Sequence, residues 1–128
     1  MKNVVIKNLY AVGMHHYGGK ELPIETPMFC FPEPNNRWDP KAVAIFHDRE
    51  KANKAAYIRS VDAAVVFGLF QENAINGLCY FKAKGPVEKY TKKSGALQKI
   101  NIGFKCENKI LEMVKTHLSG LPYDVNIF

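Results

Sequence analysis

Apolar and polar residues alternate along much of the chain with the period of two that half-buried strands show. Val4 to Met14, rich in β-branched and aromatic types, predicts a long first strand. Gly18-Gly19 then predicts a turn, because glycine tolerates positive φ. Thr26 to Phe31 predicts a second strand, closed by Pro32-Glu33-Pro34-Asn35-Asn36, where two prolines withhold donors from a ladder. Ala42 to His47 predicts a third strand, turned by the charged run Asp48 to Lys51, and Ala55 to Arg59 a short fourth.

The period changes at Ser60. This residue predicts a helix N-cap, with Asp62 in the first turn, where negative charge suits the helix dipole. Val61, Ala64, Val65, Gly68 and Leu69 recur at helical spacing as its apolar face, and Asn76-Gly77 supplies the stop. Leu78 to Lys84 and Leu97 to Cys106 predict two more strands, joined by Pro86 to Gly95 as an exposed, lysine-rich loop. Asn108 predicts the cap of a final helix whose stripe is Ile110, Leu111, Met113, Val114 and Leu118, ended by Gly120 and Pro122. Leu121 to Phe128 fits either a last strand or a docking tail. About six strands, one helix between them and one near the C-terminus predict a mostly-β protein built as a small closed barrel. Closure removes the edges that so many short strands would otherwise expose. One domain over 1–128 is expected, with a core at about 4–106 and a helix and tail at 107–128.

Composition narrows the function classes. With 47% apolar and 23% charged residues, the 128-residue chain is globular rather than disordered, and long enough to fold without disulfides or a structural metal. No apolar run approaches the roughly 20 residues of a membrane-spanning helix. Met1-Lys2-Asn3 leads straight into Val4-Val5-Ile6, without the ordered regions of a signal peptide. Three cysteines, Cys30, Cys79 and Cys106, are an odd number without metal-ligand spacing. An intracellular, reducing location (cytoplasmic, nucleoid or nuclear) is therefore expected. Eighteen basic residues against twelve acidic ones leave a charge of +6, which favours a polyanionic partner such as nucleic acid.

The unusual side chains fall in three segments: Gly13 to Gly19, Glu33 to Ile45 and Ala56 to Arg59. Single-strand binding needs flat π-faces for bases and cations along the backbone path. His16, Tyr17, Trp38 and Tyr57 offer faces, and His15, Arg37 and Arg59 offer charge. Lys82 and Lys84, two apart on one strand face, fit a phosphate track; Lys89, Lys92, Lys93, Lys99 and Lys105 extend the same basic stretch. Plainer roles fit the same residues: Trp38 as a barrel plug, Tyr57 as core, Asp39 and Asn35-Asn36 as turn formers, His16 as an idle surface residue, the lysines as a solvated loop. Adjacent histidines on an extended chain point apart, so only one of His15 and His16 would join His47 and Cys30 around a metal. The chain carries no Gly-rich phosphate loop, nucleophile elbow or His-Glu-x-x-His, so neither cofactor nor metal is expected.

In this order the three segments resemble the HIRAN domain family over roughly residues 4 to 106. The resemblance rests on a strand ending in Val12-Gly13, then polar and aromatic residues, the Asn35-Asn36 turn with Trp38-Asp39, the strand from Ala42, and Tyr57-Ile58-Arg59. Ala56 stands where the family carries Gly, and no Pro precedes Arg59. The resemblance implies an OB-like barrel and a binding module that grips single-stranded or frayed DNA, with preference for a free 3′-hydroxyl end. It implies that Asp39 accepts a hydrogen bond from that hydroxyl and that Asn35 and Asn36 shape the pocket. His15 and His16 stand at the basic and stacking positions. DNA-processing proteins are the implied partners. Two alternatives remain at this stage: a protein-interaction or accessory module on the same barrel, and a small hydrolase or nuclease using His15, His16 and Asp39.

Overall fold

The structure, a computed structural model, describes residues 1–18, 21–75, 79–91 and 95–128, with the backbone alone for 89–91. Among the described residues, seven strands and two α-helices run in the order β1 (Lys2–Val12), β2 (Met28–Pro32), β3 (Val43–Phe46), β4 (Lys54–Ile58), α1 (Ser60–Gln71), β5 (Tyr80–Thr91), β6 (Gly95–Cys106), α2 (Leu111–Leu118) and β7 (Asp124–Ile127). Six strands close an antiparallel barrel in the order β4-β3-β2-β5-β6-β1, with β1 returning to β4, and β7 lies beside β1. The predicted mostly-β barrel is the observed architecture.

One bulge lets β1 serve three partners. Asn8 takes a positive φ of 75°, and the register with β6 shifts between Ile6 and Leu9. Before the bulge, Val4 to Lys7 pair with β7; beyond it, Ala11 and Val12 pair with Ile58 and Tyr57 and close the barrel. The core is the inward face of this closed sheet. Val4, Ile6, Leu9 and Ala11 meet Cys30, Ile45, Ile58, Phe81, Ile100 and Ile102, all buried.

Several expectations are corrected. The first strand ends at Val12, because Gly13 turns left-handed (φ 76°) and starts a 3-10 turn over Met14–Tyr17. His15 and His16 are thus not on an extended chain; their rings lie 4.0 Å apart. Ser60 is the first residue of α1 rather than its cap, and Arg59 precedes it without a side-chain cap. The buried face of α1 is Asp62, Ala63, Val66, Phe67 and Leu69; Val61 and Ala64 face solvent. Apolar residues occur all round this helix, so periodicity alone could not choose the face.

Of the predicted Pro86–Gly95 loop, residues 86–91 are instead strand, as is Gly95. β5 and β6 continue as a hairpin to Thr91↔Gly95, with the register shift between Ala83 and Val87 accommodating Gly85-Pro86. Asn108 starts a 3-10 turn that leads into α2. The C-terminal segment resolves as the strand β7. The turn and stop expectations at Gly19 and Asn76-Gly77, the strand start at Leu78, and Lys92 and Lys93 fall outside the described residues.

Why α1 buries its Asp62 face is a matter of hydrogen bonds. The Asp62 carboxylate, 1% exposed, accepts from the Tyr10 backbone N–H at 3.0 Å, the Tyr123 hydroxyl at 2.5 Å and the Arg59 guanidinium at 3.2 Å. Burial and the neighbouring Asp62 charge both push the Tyr123 hydroxyl upward, so it stays a neutral donor. Arg59 N–H donates to the Tyr10 carbonyl at 2.8 Å, extending the β1–β4 seam. Removing the carboxylate leaves buried donors unpaired, so Asp62→Ala is expected to lower unfolding free energy by about 3–5 kcal/mol. Tyr123→Phe, which deletes one bond to a charged acceptor, is expected to cost about 1.5–3 kcal/mol. Urea unfolding of the two variants measures both.

Candidate nucleic-acid interface

The connection between β2 and β3, residues 33–42, is held as a compact loop by its own polar groups. Glu33 N–H donates to the Ala42 carbonyl at 2.8 Å and closes the base. Inside it, the Asn36 Oδ1 accepts from the backbone N–H groups of Trp38 (2.9 Å) and Asp39 (3.0 Å), an Asx arrangement that the Asn-rich turn predicts. The Asp39 Oδ1 accepts from Lys41 N–H at 2.9 Å. The loop thus serves as a bracket for Trp38 and Asp39. Trp38 is 85% exposed, so the barrel-plug role does not hold. The Arg37 guanidinium lies 5.2 Å from its ring centroid.

Opposite this bracket stand the 3-10 turn after β1 and the end of β4. Between them is a cleft of about 500 Å³ lined by His16, Tyr17, Asn36, Trp38, Asp39 and Tyr57, with Val12, Ala42, Ile58 and Ser60. Three separate stretches of sequence meet there. The Tyr17 and Tyr57 rings are 6.2 Å apart, and Tyr17 is 39% exposed. Asn35 lies outside the cleft, in an adjoining hollow with Glu33 and Pro34. His15 packs beside His16 and against Gly95 at the start of β6, where a Cβ would meet its ring at 3.4 Å. Arg59 is directed to Asp62 and stacks 4.9 Å from the Tyr10 ring, away from the cleft lining. Lys82 and Lys84 line a different groove, and Lys84 is ion-paired with Glu25. Among the described residues no group of three His, Cys, Asp or Glu side chains is placed to hold a metal ion.

Sequence reasoning overlooked Lys54 and Glu33. The Lys54 Nζ lies 2.6 Å from Glu33 and 2.7 Å from the Tyr57 hydroxyl, 4.8 Å from the Tyr57 ring centroid and 5.9 Å from that of Tyr17. It forms an ion pair with Glu33 behind the aromatic wall. Glu33 collects donors from Lys54, from the Asn36 amide at 3.0 Å and from the Tyr57 hydroxyl at 2.8 Å. Burial would raise the Glu33 carboxyl, but hydrogen bonds from Lys54, Asn36 and Tyr57 outweigh it and hold the group below its ordinary value. Burial, with the Glu33 charge adding to it, pushes the Tyr57 phenol up to about 12. Nothing in the spacing of Glu33, Lys54 and Tyr57 along the chain signals this convergence.

The architecture can be matched to solved structures. The chain superposes on the crystal structure of the HIRAN domain of human HLTF with a TM-score of 0.70, over 97% of this chain and 96% of that one, at 12% identity. The fold is HIRAN-like. A protein from Lactobacillus plantarum, solved as a structural-genomics target, aligns with a TM-score of 0.53 and 12% identity, covering 82% of this chain and all of that one. No family model matches the chain, and no curated protein sequence does. The HIRAN-like barrel is therefore visible in three dimensions where residue identity is low.

The depressed Glu33 carboxyl has a defined consequence for stability. A lowered folded-state value means that the charged form favours the fold, so its contribution is present above pH 4.5, its ordinary value, and is lost as pH falls further. Glu33→Gln is expected to be less stable than the parent near pH 7, with the difference shrinking steadily below pH 4.5. Urea midpoints for both proteins across an acid series test this; a constant gap would contradict it.

Proposed function

We propose that the chain is a nucleic-acid-binding module, not an enzyme, and that its cleft receives the 3′-hydroxyl end of single-stranded or frayed DNA. What supports this reading above all is that an exposed indole and the Asp39 carboxylate share one aromatic-walled cleft. Trp38, Tyr17, His16 and Tyr57 are the stacking faces, and Asn36 holds the bracket that presents Trp38 and Asp39. Arg37 provides positive potential beside it, with His15 next to His16 and Asn35 at the rim. The single-strand association implied by the HIRAN resemblance agrees with this assignment.

The chemistry of Asp39 gives the end preference. A carboxylate repels the phosphate that a continuing strand would bring, whereas a terminal hydroxyl donates a hydrogen bond to it. Asp39 Oδ1 is engaged with Lys41 N–H, and Oδ2 has no hydrogen bond among the described residues. Oδ2 is the acceptor in this reading. DNA-processing proteins are the natural partners of such a module.

Three measurements test the proposal. Binding of a labelled single strand is expected to weaken with salt, with a log-log slope of about −2 to −3 for about three or four neutralised phosphates. Trp38→Ala is expected to weaken single strands by about 1–3 kcal/mol, the value of one stack, while leaving the unfolding midpoint unchanged because the ring is solvent-exposed. Asp39→Asn is expected to blunt discrimination between 3′-hydroxyl and 3′-phosphate ends; equal discrimination in parent and variant would refute the end-recognition role.

A further inference from the structure

On the outer face of the sheet, Gly103 interrupts β6 without a backbone reason. Its φ lies outside the left-handed region, and a Cβ there would make ordinary contacts, 3.7 Å from the Val4 carbonyl and 3.8 Å from the Val5 side chain. Glycine weakens a strand interior and often marks a bulge, a bend or the close approach of a ligand; no register shift falls at Gly103, so no bulge accounts for it. The cross-strand row is Val5–Gly103–Tyr80–Phe29, so the missing side chain leaves a gap between Val5 and Tyr80. Here lies a groove of about 260 Å³ whose lining shares no residue with the cleft.

Its walls are chemically uneven. Tyr80 is 44% exposed and its ring lies 5.7 Å from that of Phe29, an aromatic pair held on the surface. On the adjacent rows stand Lys82, opposite Asn101, and Lys105, opposite Asn3; both lysines are exposed. Lys82 and Lys84 line the groove and Lys105 lines the hollow adjoining it; Lys84 is paired with Glu25, while Lys82 and Lys105 form no ion pair among the described residues. No carboxylate lines the groove. A flat apolar floor between two cationic positions complements a flat, apolar-faced unit carrying negative charge on both sides, which describes a nucleotide within a strand.

We propose that this groove is a second nucleotide-binding surface: a base lies over Gly103 against the Tyr80 ring, with its flanking phosphates at Lys82 and Lys105. It stands apart from the cleft and needs no free end, so it would engage interior nucleotides of a single strand.

The test uses the full chain carrying Trp38→Ala, which removes the cleft's exposed stacking face, and a fluorescein-labelled oligothymidylate of about ten nucleotides with a 3′-phosphate. Adding Tyr80→Ala or Gly103→Val is expected to weaken binding about fivefold or more, read by anisotropy, and Tyr80→Phe to leave it unchanged. Valine suits an exposed strand position, so Gly103→Val decides the matter even if Tyr80→Ala fails to fold. Unchanged affinity in Gly103→Val, absence of binding to the blocked strand, or equal competition by an acidic peptide of matched charge each overturns the proposal. In the parent chain, which keeps its sole tryptophan, Trp38 reports separately on the cleft through its fluorescence with a hydroxyl-ended dinucleotide. Quenching absent there, with anisotropy behaving as expected, refutes the cleft reading and leaves the groove intact.

Discussion

The buried carboxylate of Asp62 holds the barrel shut at the short seam where β1 returns to β4. Only two residue pairs join β1 to β4, Ala11↔Ile58 and Val12↔Tyr57, and a seam that short has few ladder bonds of its own. Asp62 adds an acceptor to which β1 contributes the Tyr10 N–H, the entry to α1 contributes Arg59, and the approach to β7 contributes Tyr123. A buried charge is costly unless its lone pairs are filled, so one residue fixes the positions of three elements together. The cleft is built on this seam: Val12, Tyr57, Ile58 and Ser60 are both its lining and its immediate neighbours. Loosening the closure would move one wall of the cleft relative to the other.

Glu33 repeats the same solution at smaller scale. It sits at the end of the β2 strand region, half-buried, and gathers Lys54, Tyr57 and Asn36. Through Asn36 it orients the amide that holds Trp38 and Asp39, and through Tyr57 it orients the opposing ring. The two walls of the cleft are therefore coupled by one carboxylate behind them. Such an arrangement keeps the exposed aromatic faces preorganised, which spares part of the ordering cost when a ligand arrives.

The charge distribution separates two kinds of surface on one barrel. Around the cleft the cations lie behind or beside aromatic rings, as Lys54 does behind Tyr57 and Arg37 beside Trp38. On the outer sheet face Lys82 and Lys84 stand on alternate positions of β5, and Lys99 and Lys105 share one face of β6, as strand geometry requires; two of the four are neutralised by pairing, Lys84 with Glu25 and Lys99 with Glu88. The net charge of +6 is thus spread over both surfaces and does not by itself locate a binding site.

Local chemistry was readable from residue order. The strand regions of β1 to β4, the helix after Arg59, the final helix and the Asn-centred turn follow from period, capping preference and side-chain–backbone hydrogen bonding within a few residues. The resemblance to HIRAN domains was legible in the same short segments. What tertiary structure alone decided involves contacts between residues far apart. The face that α1 buries depends on Tyr10 and Tyr123, 52 and 61 positions from Asp62. The exposure of Trp38, the engagement of Arg59 with Asp62 and the arrival of Lys54 beside Glu33 depend on how the barrel closes. The long β5–β6 hairpin depends on a bulge that accommodates Pro86. Periodicity reports which residues alternate, because burial alternates with the pleat; it carries no record of which distant donor finds which carboxylate, and that pairing sets the shape of the site.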